Sequence, residues 1–256
     1  MGEPVLLLRF EGPLQSWGLR ARWDVRDSAR EPTKSGVVGL LAAALGYGRD
    51  DPRIASELEA GLRMGVRVER EGGVLGDYHT VSGYLPMANG GFKAAGGHTA
   101  RQIEKLIADP DAAPYTVQSS RRYITDGAFL IALSATAAAT PGLLTRCADA
   151  LRRPHWPLFL GRRCCVPTRP VMDRVADGYV DLDDALERHP WSCLGADGEL
   201  RREGFIGARQ LRVVMESSAG AARDDRRQSG GARLYGRRWV RERFVPVPVR
   251  AIVEDL

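Results

Sequence analysis

Four histidines, three lysines and a series of arginine pairs carry whatever proton-transfer or anion chemistry this chain performs. Metal-free phosphodiester cleavage by 2′-OH attack needs a general base, an acid for the leaving oxygen and a cation for the phosphorane. His79, beside Tyr78, is the candidate base, but neither a second histidine nor a lysine lies near it in sequence. The competing role for His79 is a hydrogen-bonded core or ligand contact. His98 lies in a glycine-rich stretch, a poor support for catalytic geometry, and His155 and His189 each abut a proline and read as structural. Asp50-Asp51 and Asp183-Asp184 are adjacent carboxylates, which on a strand point to opposite faces and make weak metal sites. Cys147, Cys164, Cys165 and Cys193 include no C-x-x-C spacing, so neither a zinc knuckle nor a disulfide framework is legible. Reduced thiols in a cytoplasmic protein, with no metal or cofactor, are the expectation.

The chain has a formal charge of +5, and 34 of its 37 basic side chains are arginine. Arginine grips phosphate with a planar fork and stacks on bases, which lysine does not. A GC-rich genome would give the same ratio, so position matters more than number. SSRRYITDGAF, Ser119 to Phe129, leads Arg121 and Arg122 into Tyr123, and LGRRCCVPTRP, Leu160 to Pro170, sets Arg162 and Arg163 after an expected strand end. Paired cations beside an aromatic ring suit a sequence-tolerant single-strand binder; solvated charge pairs are the alternative. GPLQSWG, Gly12 to Gly18, offers Gln15, Ser16 and Trp17 either as base contacts or as a tight turn with Trp17 in the core. EPTKSG, Glu31 to Gly36, opens a helix whose free amides, with Lys34 and Ser35, favour a phosphate. It is not a Walker A, because no G-x-x-x-x-G precedes the lysine.

Val5 to Phe10 reads as a buried first strand closed by Gly12-Pro13. Thr33 caps a helix with Val37, Leu40, Leu41, Ala44 and Leu45 on its inner face and Gly46 as its stop. Asp51-Pro52 starts a second helix through Leu62. Met64 to Arg70 and Val74 to Thr80 read as a hairpin. Residues 82–115, rich in glycine, read as an inserted arm carrying Lys93, Arg101 and Lys105. Regular structure is expected again at Tyr123 to Leu133, in a helix from Thr140-Pro141 to Arg152, and in a strand from Trp156 to Leu160. This order fits an α+β, ferredoxin-like palm over residues 1–170. Residues 171–256 read as a small β-rich region. Arg201 to Arg243 holds 12 arginines against five acidic residues, 217–231 reads as a mobile loop, and Trp239 to Val249 as an edge strand broken by prolines. The longest apolar runs are too short to span a bilayer.

Taken together, LLLRFEGPLQSWG (Leu6 to Gly18), EPTKSGVVGLLAAALGYGRDD (Glu31 to Asp51), DYHTV (Asp77 to Val81), YITDGAFLIAL (Tyr123 to Leu133) and PLFLGRRCCVP (Pro157 to Pro167) resemble the CasD family. These are the Cas-five-type subunits of the type I-E CRISPR Cascade, within the RAMP superfamily. The resemblance covers the first two-thirds of the chain and thins after Val171. It implies an RRM-like palm with a β-hairpin thumb, placed on 82–115, and a subunit that holds the 5′ handle of the CRISPR RNA. It also implies contact with a CasC-type backbone subunit and a CasA-type large subunit, and with target DNA only through the complex. Relatives in subtype I-C cleave with a Tyr, Lys and His set; here Tyr47 lacks an evident partner and no Lys-His neighbour pair exists, which favours binding over cleavage. A metal-independent endoribonuclease and a protein-protein scaffold remain the alternatives. The RNA contacts expected are Gln15, Ser16, Trp17, Lys34, Ser35, Tyr78, His79, Lys93, Arg101, Lys105, Arg121, Arg122, Tyr123, Arg162 and Arg163.

Overall fold

The run Val5–Glu11 is buried along its whole length, the mark of a strand covered on both faces. The computed structural model describes residues 4–19, 24–83, 85–86, 92–93, 108, 115–194, 200–201, 210–228 and 235–248. In chain order the elements are β1 (Val5–Glu11), β2 (Leu14–Gln15), β3 (Val25–Arg26), α1 (Lys34–Leu45), a π-helical segment (Ile54–Glu59), β4 (Leu62–Arg70), β5 (Gly73–Gly83), β6 (Leu85–Pro86), β7 (Phe92–Lys93), β8 (Tyr115–Thr125), β9 (Ala128–Ala135), α2 (Leu143–Arg152), β10 (Met172–Ala176), α3 (Leu182–Arg188), β11 (Cys193–Leu194), β12 (Leu200–Arg201), β13 (Gln210–Ser217), β14 (Ala221–Arg227) and β15 (Tyr235–Pro246).

They fall into two units. The larger, Met1–Leu19, Ser28–Leu75 and Tyr123–Leu256, is organised by a seven-stranded sheet in the order β10-β1-β9-β4-β13-β15-β14. Every pairing in it is antiparallel. Alternation along the strands splits the core in two. Leu6, Leu8 and Phe10 join Val37, Leu41 and Leu144 from α1 and α2 on one face, whereas Val5 and Leu7 join Leu182, Leu186, Val213 and Val245 on the other. Gly65 lets α3 approach, since a Cβ there would collide with Leu186. The smaller unit, Arg20–Asp27 and Gly76–Arg122, contains β3, most of β5 and β8, and the short β6–β7 pair.

Helix α1 follows its expected signals: Thr33 Oγ1 accepts from the Gly36 amide, and Gly46, at φ 77°, closes the helix. Other expectations are corrected. Residues 54–59 form a single π-helical segment, and Leu62 belongs to β4. β4 and β5 are not a hairpin, because β9 and β13 flank β4 and β5 pairs with β8. Trp156 to Leu160 is not a strand: the amides of His155 and Trp156 bond the Ala44 and Ala43 carbonyls at the end of α1, at 2.9 and 3.3 Å. Its expected place is taken by β10, antiparallel to β1. Helix α2 is capped by Gly142 rather than by Thr140. Tyr123 to Leu133 is divided between β8 and β9, with Asp126 at φ 52° in the turn. Within 217–231, residues 221–227 form β14, entered through a turn at Gly220, φ 129°. β15 is internal, between β13 and β14, and Pro246 disturbs no pairing because it is the strand's last residue.

One buried charge network lies against the second core face. Arg9 Nη1 and Arg67 Nη2 both donate to Glu69 Oε1, at 2.8 and 2.7 Å, and Arg67 Nη1 donates to the Leu186 carbonyl at 2.8 Å. Arg9 also reaches Asp173 at 3.3 Å, and His189 Nε2 lies 2.8 Å from the same carboxylate. Burial pushes the His189 imidazole below its ordinary value of 6.5. Burial opposes ionisation of Asp173, but the hydrogen bond from His189 and the charge of Arg9 prevail and hold its pKa below the usual carboxylate range.

Two outcomes follow. Arg67→Met leaves Glu69 short of a partner inside the protein and should cost about 3–5 kcal/mol in urea unfolding. Because the folded state resists protonating both His189 and Asp173, stability should be full above the unfolded His value of 6.5. It should fall as pH drops below that, and fall further below the ordinary Asp value of 3.8. His189→Gln should flatten the first part of a profile of urea midpoint against pH.

Candidate nucleic-acid interface

GPLQSWG does not present itself to a ligand. The Gln15 side chain is fully buried; its Nε2 donates to the Gly127 carbonyl at 2.7 Å, and its Oε1 accepts from Trp17 Nε1 at 3.1 Å. Trp17 is 1% exposed and stacks on Phe10, with centroids 5.3 Å apart and planes within 12°. Ser16 is buried, and its amide donates to the Leu160 carbonyl at 3.0 Å. The expectation that these three side chains meet bases is therefore corrected: their polar atoms and ring faces are used inside the fold.

What they do is carry a second loop. Gly161 adopts φ 99°, and a Cβ there would collide with the Ser16 carbonyl. At Gly12 a Cβ would lie 2.7 Å from the Val166 carbonyl. Thr168 donates its amide to the Glu11 carbonyl, and the loop closes on itself through Leu160 N–H to Cys165 O at 2.7 Å and Cys165 N–H to Arg162 O at 2.8 Å. On this cradle the Arg162 guanidinium sits 4.6 Å over the Tyr123 ring, a cation–π contact that helps to order the side chain. Arg163 beside it is exposed. Tyr123 is buried, so it positions Arg162 rather than stacking on a base itself. The Cys164 thiol lies 3.6 Å from the Tyr123 hydroxyl, and burial with the neighbouring Cys164 pushes the Cys165 thiol up to about 12.

The helix N-terminus is also committed. Asp225 Oδ2 accepts the Lys34 amide at 2.9 Å, and Lys34 Nζ donates to the Leu62 carbonyl at 2.7 Å while facing Glu216 at 2.9 Å and Glu59 at 3.4 Å. A phosphate there would displace a carboxylate already in place, so the expected anion site is corrected too. Ser35 is half-buried. Most of the described C-terminal arginines are paired: Asp183 pairs with Arg241 and Arg243; Glu31 pairs with Arg212 and Arg223; Asp225 pairs with Arg238. Among the described residues, most of the basic excess of 201–243 is thus engaged within the fold.

In the smaller unit β3 runs parallel to β8, setting Arg26 beside Arg121. Arg121 Nε reaches Ser119 Oγ at 3.4 Å, and Arg122 is exposed, with Nε 3.7 Å from Asp27. Tyr78 is 64% exposed on β5, and His79 Nε2 contacts the Asp77 carboxylate. Lys93 lies in β7, paired with Leu85; Arg101 and Lys105 lie outside the described residues. Tyr47, in the larger unit, donates to Glu57 at 3.0 Å beneath the Arg53 guanidinium, and burial together with Glu57 raises its pKa, which suits a structural phenol better than a base. Among the described residues no three His, Cys, Asp or Glu side chains converge on a metal position, and no helix is long and apolar enough to cross a membrane.

The model of the CRISPR-associated protein Cas5 family matches residues 5–245. The chain belongs to this family. It is 33% identical over 174 residues to the CRISPR system Cascade subunit CasD of Escherichia coli K12, covering 65% of this chain and 68% of that protein. A solved structure described as a CRISPR RNA-guided surveillance complex contains a chain that is 30% identical with a TM-score of 0.68, covering 95% and 91% of the two chains. The crystal structure of a Cas protein aligns with a TM-score of 0.62 at 32% identity, covering 95% of each. The family resemblance carried by the sequence motifs therefore stands for the Cas5 chain as a whole. Two of the strings that carried it, those containing GPLQSWG and LGRRCC, are the two halves of one cradle.

The cradle separates support from presentation. Trp17→Ala should cost about 3–5 kcal/mol, as for other buried aromatic truncations. Arg162→Ala with Arg163→Ala should change stability by about 1 kcal/mol or less. Urea unfolding of both variants checks the contrast.

Proposed function

We propose that this Cas5-family chain is a non-catalytic RNA-binding subunit of a type I-E CRISPR surveillance complex, Cascade. It holds the 5′ repeat-derived handle of the CRISPR RNA and caps the backbone beside the large subunit. The observation that carries this reading is the loop at Arg162 and Arg163: one guanidinium ordered on Tyr123, its neighbour open, both on a backbone locked by glycines. Charge held in place for phosphates, without an aligned acid–base set among the described residues, suits retention of a strand. The four strands β10-β1-β9-β4, with α1 after β1 and α2 after β9, support a ferredoxin-like palm. In this proposal residues 82–115 are the thumb, and its Lys93, Arg101 and Lys105 follow the RNA backbone, with Tyr78, Arg121 and Arg122 contributing from the same unit. The protein partners are a CasC-type backbone subunit and a CasA-type large subunit, target DNA is met through the complex, and the setting is the cytoplasm.

The contact between His79 and Asp77 favours one second reading, a metal-independent endoribonuclease, since a carboxylate on an imidazole is how a general base is oriented.

Incubating the protein with repeat-derived RNA in EDTA separates the two. The binding reading expects retention of intact RNA by wild type and His79→Ala alike; cleavage by wild type that His79→Ala abolishes would establish the nuclease. Affinity for the handle RNA should fall steeply between about 50 and 200 mM salt. Arg162→Ala with Arg163→Ala should weaken binding and lower the logarithmic salt slope by about 2, one for each lost phosphate contact. A slope unchanged in that variant would remove the loop from the interface.

A further inference from the structure

Along β15 the side chains alternate between the two faces of the sheet. Val245, Arg243 and Arg241 take the face on which α3 packs: Val245 shares its core with Leu182 and Leu186, and both arginines reach Asp183. The next residues of the same set, Trp239, Arg237 and Tyr235, lie in the open. Trp239 is 42% and Tyr235 48% exposed, with Arg237 exposed between them. The cross-strand neighbours of Trp239 are Ser217 and Ala222, both too small to cover the ring. Two uncovered rings and a guanidinium in one row on a sheet form a surface suited to a single strand, with ring faces for bases and cations for phosphates.

Further cations flank the row. Arg63, Arg226 and Arg237 line one groove with Trp239, and all three are exposed. Asp224, 3.1 Å from Arg237, is exposed as well, and a pair so open to solvent holds its cation weakly enough for a phosphate to take it over. The deeper carboxylates are met inside the fold, Glu59 and Glu216 by Lys34 and Asp225 by Arg238. Tyr235 and Trp239, four residues apart on one strand, stand about 13 Å from each other. That is roughly four base steps of about 3.4 Å, so both rings can serve the same strand. Trp, Tyr and Arg also anchor protein partners, but three exposed cations against one exposed carboxylate favour a polyanion.

We propose that the face of β15 carrying Tyr235, Arg237 and Trp239, with Arg63 and Arg226 beside it, holds a single strand of nucleic acid by its phosphates and base faces, as a second contact separate from the Arg162–Arg163 loop. Titrating the full chain with a short oligothymidylate, read by tryptophan fluorescence and by the anisotropy of a labelled strand, tests it. Binding should quench the fluorescence, because a base stacks on Trp239. Trp239→Phe should bind as wild type does but lose most of the quench. Trp239→Ala, its folding checked by thermal melting, should bind about tenfold more weakly, the effect of one lost stacked base. Arg63→Ala with Arg226→Ala should lower the logarithmic salt slope by about 1.4, about 0.7 for each phosphate contact on a single strand. Oligouridylate should bind alike, since neither contact reads the sugar, and duplex DNA should bind more weakly. Duplex bound as tightly as the single strand, a clear preference for one sugar, a quench kept in Trp239→Phe or an unaltered affinity in Trp239→Ala overturns the proposal. A glutamate-rich peptide bound more tightly than the oligothymidylate also overturns it and makes the row a protein-docking surface. The Arg162→Ala, Arg163→Ala variant should keep the quench, so failure of the handle-binding reading and failure of this one are distinguishable.

Discussion

The contact on which the presented surface depends is the approach of Gly161 to the Ser16 carbonyl. It brings two loops far apart in sequence within backbone distance, joined by the Ser16 amide to the Leu160 carbonyl at 3.0 Å. Such an approach needs a residue without a Cβ that accepts a positive φ, which only glycine does without strain. Gly12 makes the corresponding concession to Val166 on the other side. With both loops fixed, the Trp17 ring and the Gln15 amide fill the space beneath, Tyr123 rises to meet Arg162, and the position of the cation becomes a property of the backbone. An arginine held this way gives up less side-chain entropy on meeting an anion than one free in solvent.

Charge is used in two ways in this molecule. Most of the arginines on β13, β14 and β15 are tied to carboxylates from remote parts of the chain, so their number measures internal cross-linking more than affinity for an external anion. Arg67 and Glu69 take this furthest: with almost no exposure, each makes the other tolerable. Buried pairs of this kind add little net stability over a well-packed apolar pair, yet losing one member is severe. Arg162 adds another kind of contact, since its guanidinium lies over an aromatic ring, which orders a cation.

The sequence was most legible where local rules act alone. The strand Val5–Glu11, the Thr33 cap and the Gly46 stop are decided by neighbours within a few residues, and they are found where the periodicity places them. Pairings decided at long range were not. A strand pattern at Val74 to Thr80 cannot reveal that β4 has both edges taken by β9 and β13, and Trp156 to Leu160 has strand composition but spends its amides on a helix end. The site shows the same division. Arg162 and Arg163 were visible as a pair beside a loop, whereas nothing local marks Asp225 as the acceptor for the Lys34 amide 191 residues away. The pattern GPLQSWG admits Trp17 either as a base contact or as a core residue, and burial decides for the core. The signal that would have found the cradle was the glycines themselves, Gly12 and Gly161, one in each of two loops whose backbones have to meet.

The place of β15 between β13 and β14 has a consequence for the order in which the protein can be made. Among the described residues β14 pairs with the sheet through β15 alone, so its place in the sheet waits for a strand synthesised after it. Asp225 rides on β14, and it is the residue that satisfies the first amide of α1 and holds Arg238 in place. The start of a helix formed early in synthesis is thus completed by a segment that emerges 191 residues later. A nascent chain halted before residue 235 would carry α1 with an unfinished end and a sheet with β13 as an open border, a state that closes once β15 has been made.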